Sequence, residues 1–259
     1  MSFFILDSPG GYELESKTLF NAMTIAPNTS EKRIINKLIL NLKVSGDWDK
    51  IDVLWICAAF NQQAARLNWK NPITFTLTEV NSPKWTVLQG YTGNGTTDYI
   101  NTNFNLATNG VNYILNSGSG GYYGRLSFEA ADTTEFGVKT GLDGIAIVAR
   151  YTADTFIGRV NSGTNNSGAN TSTQGLFSVV RTASNNQETY RNAVLLVKTA
   201  TLSTLVVSQP LYFIGFNNNG VTLFSNKQIS MVYVGSGSIN QLSLYNTIQA
   251  YMTAVGANV

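Results

Sequence analysis

The sequence predicts a mainly β protein: an antiparallel two-sheet sandwich or jelly roll, with a helical N-terminal region and a short C-terminal helix. Three observations support this fold class. Short apolar or alternating runs recur between residues 75 and 234 at a spacing of about ten residues, separated by Gly- and Asn-rich turn clusters. Only 12% of the residues are charged, so the polar surface consists mainly of the small polar residues that suit a turn-rich β protein. Helical periodicity is confined to the two ends of the chain.

The first region, residues 1–74, is mixed and partly helical. A short helix is predicted from about Ser16, and a clearer one follows, capped by Thr29 or Ser30. The apolar face of this second helix consists of Ile34, Ile35, Leu38, Ile39 and Leu42. The run "IDVLWICAAF" predicts a fully buried strand, and "NQQAARLNWKNP" predicts a short helix capped by Asn61.

The second region, residues 75–259, carries the predicted strands. "LQGYTGNGTTDYINTNFN" predicts a hairpin that turns at Gly93, Asn94 and Gly95. Further strands are predicted at "WTVLQGY", "VNYIL", "RLSFEA", "IAIVARY", "TFIGRV", "GLFSVVR", "VLLVKT", "TLVVS", "LYFIGF" and "ISMVYV".

A closing helix is predicted over residues 238–255. Ser238 and Gln241 form a capping-box pattern, and Gly256 occupies the position of a C-terminal cap. The predicted apolar stripe, which we expect to pack against the sandwich, consists of Leu242, Tyr245, Ile248, Met252 and Val255. Docking of a partner on this stripe is the alternative.

Missing residue types exclude several kinds of site. The chain has no His, which excludes Ser-His and Cys-His nucleophile pairs and His-ligated metals. The single Cys, Cys57, lies in an apolar run and is predicted to be buried rather than reactive. The Lys and Arg residues are scattered at a net charge of +2, which argues against nucleic-acid binding. No signal peptide and no membrane-spanning run is evident, so we expect no membrane insertion.

Three stretches resemble a known family. "SPKWTVLQGYTGNGTTDYINTNFN" is similar to the opening of a concanavalin A-like (laminin-G-like) jelly roll, where G-[YF]-x-G-[ND]-G and Y-I-[DN]-T form the first strand pair. The stretch from "LYFIGFNNNG" to "NTIQAYMTAVG" resembles the end of that domain. "GDWDKIDVLWICAAFNQQAARLNWKNP" is similar to a segment that precedes this domain in virion proteins of tailed bacteriophages. The resemblance therefore implies a concanavalin A-like jelly roll in a virion protein.

A catalytic site is not expected. Glucanases of this fold carry an E-x-D-x-x-E strand, because retaining hydrolysis needs two carboxyl groups about 5 Å apart. The nearest cluster here, formed by Glu129, Asp132 and Glu135, falls across a predicted turn and is interpreted as a solvated loop. We therefore predict that the protein is not an enzyme.

Neither a metal nor a phosphate site is predicted. Asn101, Asn103 and Asn105 alternate as in a calcium loop, but a calcium site needs several carboxylates and only Asp98 is near. The Gly-rich residues 118–124 do not fit a phosphate-binding loop and are predicted to form a flexible turn. No cofactor is expected.

A glycan site is the remaining candidate. Tyr122 and Tyr123, beside glycines, would offer aromatic faces, and Asn161 and Asn217 would offer amide hydrogen bonds. The preferred alternative is that these Tyr and Asn residues belong to strands and turns.

Three function classes follow. The first is a structural virion protein, such as a fibre, capsid decoration or tail component, made in the host cytoplasm and bound to other virion proteins. The second is a module that binds a bacterial surface glycan, and the third is a glycan-cleaving enzyme. A jelly roll can cover its own core, so the additional apolar surfaces of residues 1–74 must be buried against the jelly roll itself, against a symmetry mate or against another virion protein. We expect an attachment segment and a homo-oligomeric or particle-bound protein; the alternative is that residues 1–74 are part of one larger domain.

Overall fold

The strands form two stacked sheets, and helices cover one of them. The computed structural model describes residues 11–127 and 133–259. The strands are β1 (Ile51–Ile56), β2 (Thr78–Val80), β3 (Lys84–Thr86), β4 (Gly90–Thr92), β5 (Tyr99–Asn105), β6 (Gly118–Gly124), β7 (Phe136–Thr140), β8 (Asp143–Tyr151), β9 (Thr155–Ser162), β10 (Asn166–Ala169), β11 (Gly175–Ala183), β12 (Asn186–Arg191), β13 (Val194–Thr199), β14 (Pro210–Phe213), β15 (Phe216–Asn217), β16 (Val221–Thr222) and β17 (Gln228–Gly235). The α-helices are α1 (Leu14–Ala22), α2 (Thr29–Val44), α3 (Gln62–Arg66), α4 (Leu106–Asn109) and α5 (Gln241–Ala254).

The sandwich consists of two sheets in which neighbouring strands are often far apart in the sequence. Sheet 1 has the order β13-β12-β11-β6-β17-β4-β3, and β1 also pairs with β17. Sheet 2 has the order β10-β9-β8-β7-β14-β5-β2, with β15 and β16 attached to it. The pairings are antiparallel except for a parallel bridge between Asn217 and Val138. This architecture confirms the predicted two-sheet antiparallel sandwich with helices at both ends of the chain.

The Gly-rich β6 is an interior strand, so the predicted flexible turn is wrong. It pairs with β11 on one side and β17 on the other, and all its residues are buried. A Cβ atom on Gly121 would lie 2.1 Å from the Phe177 carbonyl oxygen, and one on Gly120 would lie 2.9 Å from Phe136 Cζ. The glycines are there because neighbouring strands and rings approach the backbone too closely for any side chain.

The predicted hairpin at Gly93 to Gly95 is also wrong. β4 pairs with β3 and β17 in sheet 1, whereas β5 pairs with β2 and β14 in sheet 2. A tight turn does exist, because Asn94 Oδ1 accepts hydrogen bonds from the backbone N–H groups of three following residues. That turn carries the chain from one sheet to the other. Local alternation predicts a strand but not its partner.

The first region shares the core of the sandwich. β1 pairs with β17 from Ile51 to Ile56, and α2 packs against α5. The buried side chains of both regions form one hydrophobic cluster. The composition of the chain changes at about residue 74, but sheet 1 contains strands from both sides of that position.

The helix faces follow the predicted periodicity with small shifts. The cap of α2 is Asn28 rather than Thr29 or Ser30, and it exchanges hydrogen bonds with Glu31 in a capping box. The buried residues of α2 are Ile35, Leu38, Ile39 and Leu42, which confirms four of the five predicted positions, whereas Ile34 is only half-buried. Helix α5 is capped by Asn240, not Ser238. Its buried apolar side chains include Leu244, Ile248, Tyr251 and Met252, whereas Leu242 is 60% exposed.

Two predicted strands are loops. In "VNYIL", the Asp52 carboxylate accepts hydrogen bonds from the backbone N–H groups of Val111, Asn112 and Tyr113, which replaces a strand ladder. In "TLVVS", Thr204 N–H donates to the Asn161 carbonyl outside any strand pair. Part of "RLSFEA" lies outside the described residues.

Candidate functional site

The two tyrosines of the predicted glycan site point into the protein. Tyr122 and Tyr123 lie in β6 and are fully buried. The Tyr122 hydroxyl is 3.4 Å from Glu135 Oε2, and the Tyr123 hydroxyl donates to Gln249 Oε1 over 2.8 Å. Burial, followed by the nearby Glu135 charge, raises the pKa of Tyr122 well above its usual value. Neither ring has a face available to a sugar.

The two asparagines of that site are buried as well. Asn161 accepts from the Tyr113 hydroxyl and donates to the carbonyls of Ile114 and Leu115, which fixes the preceding loop. Asn217 donates to the Pro210 carbonyl over 2.7 Å. All four side chains of the predicted glycan site are buried and hydrogen-bonded within the chain. None of them is exposed to contact a glycan in this structure.

Glu135 is a buried ion-pair partner rather than part of a solvated loop. Its Oε1 lies 2.5 Å from Lys227 Nζ, and both side chains are almost completely enclosed. Its Oε2 accepts the Ala149 N–H over 2.9 Å. Glu129 and Asp132, the other members of the predicted cluster, lie outside the described residues. The carboxylate therefore connects the interior faces of the two sheets and has no open side toward a substrate.

The alternating asparagines have structural roles. Asn101 Oδ1 accepts the Asn103 N–H, Asn103 Nδ2 donates to the Thr76 carbonyl, and Asn105 caps α4. Within residues 11–127 and 133–259, no group of three or more His, Cys, Asp or Glu side chains is placed to hold a metal ion.

Cys57 is fully buried, as predicted. Burial raises the pKa of its thiol far above the usual value, so the reactive thiolate is scarce at neutral pH. Its carbonyl accepts the indole N–H of Trp85 over 3.0 Å.

A concave surface lies between α2 and α5, and we call it the helical groove. Its volume is about 760 Å³. Its lining includes Arg33, Ile34, Lys37 and Leu38 from α2, and Ala250 and Ala254 from α5. The helix pair covers sheet 1, since Tyr251 donates to the Ala58 carbonyl and its ring packs edge-on against Trp69 at 5.7 Å. Helices α2 and α5 thus form a layer over sheet 1, here called the helical layer, whose groove has apolar residues on its floor and cationic residues on its rim.

A second, smaller site, here called the polar cavity, lies at the far edge of sheet 1. It has a volume of about 400 Å³ and is lined by Ala183, Asn185, Asn186, Lys198, Thr199 and Ala200. Asn186 Nδ2 donates to Glu188 Oε1, while Asn186 Oδ1 is buried without a partner. Lys198 Nζ pairs with the same Glu188 carboxylate at 2.9 Å. The cavity therefore offers one unused acceptor and one largely exposed ammonium group.

Sequence reasoning missed both surfaces for different reasons. Arg33 and Lys37 lie outside the predicted apolar face of α2, but no local pattern indicated that α5 would lie alongside α2. The polar cavity joins β12 and β13 to the turn before β12, and no residue in it has a distinctive local pattern.

Among the described residues, no helix is both long and apolar enough to cross a lipid bilayer.

Comparison with known proteins identifies the fold and nothing finer. No protein-family model and no curated protein sequence matches the chain. The binding domain of botulinum neurotoxin DC, solved with rat synaptotagmin II, matches with a TM-score of 0.53 and 12% identity over 78% of this chain and 52% of that one. A botulinum neurotoxin type C structure that concerns interaction with two ganglioside molecules matches with a TM-score of 0.54 and 12% identity over 80% of this chain and 53% of that one.

A sialidase gives a similar result. The Trypanosoma rangeli enzyme in complex with sialic acid matches with a TM-score of 0.51 and 9% identity, covering 84% of this chain and 39% of that one. The chain spans about half the length of the neurotoxin structures and less of the sialidase. The protein thus has a concanavalin A-like two-sheet antiparallel sandwich, a fold that it shares with these neurotoxin and sialidase structures.

Proposed function

We propose that this chain is a structural protein of a tailed-bacteriophage virion, a fibre, capsid decoration or tail component, that acts by binding other virion proteins. The segment from Gly46 to Pro72 resembles one that precedes this fold in virion proteins. That segment supplies β1 and α3, and it follows directly after α2. On this proposal the protein is made in the host cytoplasm, resides in the virion and is homo-oligomeric.

The helical groove is the observation that carries the proposal. Helices that pack on one sheet of a sandwich need do no more than cover its apolar surface. Here, however, α2 and α5 also form an outward-facing concave site of about 760 Å³. An apolar floor rimmed by Arg33 and Lys37 suits a protein segment more than a polar sugar. We therefore assign the attachment role to the helical layer.

We propose further that the protein is not an enzyme. Glu135, the described member of the carboxylate cluster, is enclosed and paired with Lys227. A general acid or nucleophile must instead reach the glycosidic bond. Release of reducing ends from a capsular or cell-wall glycan, abolished by Glu135→Gln, would contradict this.

The attachment role is tested by reversing the charges on the groove rim. We expect Arg33→Glu with Lys37→Glu to keep the melting temperature and lose incorporation into particles in the infected host, because both side chains are exposed. Lys84→Glu, exposed on β3 and outside the groove lining, is the matched control and should incorporate normally. Normal incorporation of the double variant would remove the groove from the interface.

A module that binds a bacterial surface glycan is the second candidate, favoured by the polar cavity. The unpartnered Asn186 Oδ1 would accept a sugar hydroxyl, and Lys198 would donate to a second oxygen. On this alternative, Asn186→Ala weakens binding to a surface-polysaccharide array at least about tenfold, the effect of one lost hydrogen bond of about 1.4 kcal/mol. Asn165→Ala, an exposed loop residue outside the cavity, should bind unchanged. Absence of binding by the unaltered protein would leave the virion-structural role alone.

A further inference from the structure

Strand β13 lies at one end of sheet 1, and none of its six residues is buried. Its first four residues, Val194 to Val197, are all apolar; Val194 is 64% exposed and Leu195 is 45% exposed. In the part of the chain that the structure describes, β12 is the only strand that pairs with β13. Strand β10 of sheet 2 meets it through a side-chain contact, the hydrogen bond between Thr199 and Asn166. The outer edge of β13 therefore presents unpaired backbone groups beside exposed apolar side chains.

The other strand edges of the sandwich are short or covered. Strands β2 and β3 have three residues each, β10 has four and β16 has two, and β3 begins with the exposed Lys84 directly after Pro83. Strand β1 has six residues, but its Leu54 N–H donates to Asn68 Oδ1 and its Leu54 carbonyl accepts the Trp69 N–H. Short strands, charges and covering loops are the means by which proteins prevent pairing between sheet edges. Strand β13 combines length with an apolar sequence, so of these edges it is the best suited to pair with another strand.

A β-bulge in β13 favours a second copy of this chain as the partner. Leu195 lies opposite Tyr190 and Val197 lies opposite Thr189, which leaves Leu196 as the extra residue. A bulge bends its strand and increases the local twist, so a flat strand follows it poorly. A second β13 has the same bulge and the same twist. When two such strands pair antiparallel about a two-fold axis normal to the sheet, both bend to the same side of the sheet.

The charge on β13 also permits this pairing. If the axis passes through the centre of the four apolar residues, each of them faces an apolar residue of the second copy. Lys198 then lies opposite Ala193 of the second copy, so the two copies of Lys198 are five residues apart along the strands. At about 3.4 Å per residue they are about 17 Å apart, beyond the screening length of about 8 Å. Each Lys198 ammonium group is also paired with Glu188 of its own chain at 2.9 Å.

We propose that two copies of this chain pair through β13 in an antiparallel two-fold dimer, which joins their two copies of sheet 1 into one continuous sheet. This pairing gives the open backbone groups their hydrogen bonds and covers Val194 and Leu195 in both copies. The short edges offer β13 no pairing of equal length, which favours β13 itself as the partner strand. The inference specifies the homo-oligomeric state that the proposed function includes, and it rests on that part of the proposed function alone.

The test is the dissociation constant of the purified protein, measured by sedimentation velocity over a range of concentrations. We expect a monomer–dimer equilibrium, and we expect Leu195→Lys to raise its dissociation constant at least about tenfold, because two ammonium groups then meet beside the axis. Leu195→Met keeps an apolar side chain and should dimerise like the parent. Val87→Lys is the matched control, since Val87 is 51% exposed and follows β3 at the opposite end of sheet 1; it should leave the constant unchanged.

Hydrogen exchange locates the contact. Exchange of the β13 backbone amides should slow as the concentration rises through the dissociation constant, while exchange in β3 stays the same. A protein that is monomeric at every accessible concentration would overturn the proposal, and so would a dimer that Leu195→Lys leaves intact. Amides of β13 that are protected only in assembled particles would also overturn it, because a strand of another virion protein would then be the partner. A monomeric parent protein that is still incorporated into particles would refute the dimer and leave the virion assignment standing.

Discussion

The helical layer and the interior between the sheets are stabilised in opposite ways. Between α2 and α5 the buried side chains are apolar apart from Thr247, and Leu38, Ile39, Ile248 and Met252 are at most 2% exposed. Between the sheets, an equally enclosed set of polar groups makes directional contacts. We call this set the polar interior; it consists of the Glu135–Lys227 pair and of Gln187 and Asn166.

The contrast shows what each region tolerates. Apolar burial depends on area and shape, so a substitution of equal volume preserves most of it. A buried hydrogen bond leaves its partner unsatisfied when one member is removed, at the full desolvation cost of that partner. The same change in volume should therefore cost far more in the polar interior than in the helical layer.

The largest expected effect is on the buried ion pair. Lys227→Met leaves the Glu135 carboxylate without its cation and should lower the free energy of unfolding by about 3–5 kcal/mol. Glu135→Gln combined with Lys227→Met removes both charges and should cost less than the single change. Urea denaturation measures both. A single variant within about 1 kcal/mol of the parent would show that the interior admits water to this carboxylate.

A cavity in the helical layer should come next. Ile39→Ala removes a fully buried side chain from α2 and should cost about 2–5 kcal/mol, with the lower part of that range if α2 and α5 move together. Thermal and urea unfolding should report the same loss. Ile25→Ala, on a side chain that is 63% exposed, is the control and should change stability by less than about 0.5 kcal/mol.

The comparison is sharpest for two substitutions by the same residue. Gln187→Met keeps the length of the side chain but leaves the Val160 N–H and the Thr164 carbonyl without partners, so we expect a loss of about 1–3 kcal/mol. Leu38→Met in the helical layer conserves volume and should cost less than about 1.5 kcal/mol. Equal losses would mean that the two regions do not differ in this respect.

The smallest effect is a pH dependence at the edge of the polar cavity. Burial raises the pKa of the Glu188 carboxyl, but hydrogen bonds from Tyr190, Lys198 and Asn186 outweigh it and lower the pKa overall. The folded state therefore binds this proton less tightly than the unfolded state. Its stabilising contribution is complete above the unfolded value of about 4.3 and is lost as the pH falls through the lower folded value.

This contribution is measurable as a difference. The stability gap between the parent and Glu188→Gln should be constant from pH 7 to about pH 5 and should narrow at lower pH. A gap that widens on acidification would contradict the hydrogen-bond account. The stability gap caused by Glu188→Gln should be smaller in a Lys198→Met background, because that change removes one of the donors to the Glu188 carboxylate.

A structural feature could be predicted from the sequence when the residues that determine it lie close together in the chain. Helix α2 was predictable because its capping residues and its apolar face lie within 16 consecutive residues. The partners of β4 and β5 were not, because the strands that pair with β4 and β5 include β17 and β14, more than 100 residues later in the chain. Gly118 to Gly124 resembled a turn because the rings and carbonyls that exclude a side chain there come from distant strands.

The candidate sites were less predictable than the fold. Tyr122, Tyr123, Asn161 and Asn217 have side chains that could bind a sugar, and only their burial rules them out. Burial of a polar residue depends on which other elements cover it. The sequence indicated one wall of the helical groove, the outer face of α2. The other wall is α5, which begins more than 190 residues after α2 ends.

The position of β17 has a consequence for how the protein is made. This strand lies between β6 on one edge and both β1 and β4 on the other, so three earlier strands complete their hydrogen bonding only when residues 228–235 arrive. At a synthesis rate of about 5–20 residues per second, β17 is synthesised on the order of 10 s or more after β1. Such long-range pairing slows folding and leaves unpaired apolar edges exposed. The nascent chain should therefore depend on holding chaperones until the last strand leaves the ribosome.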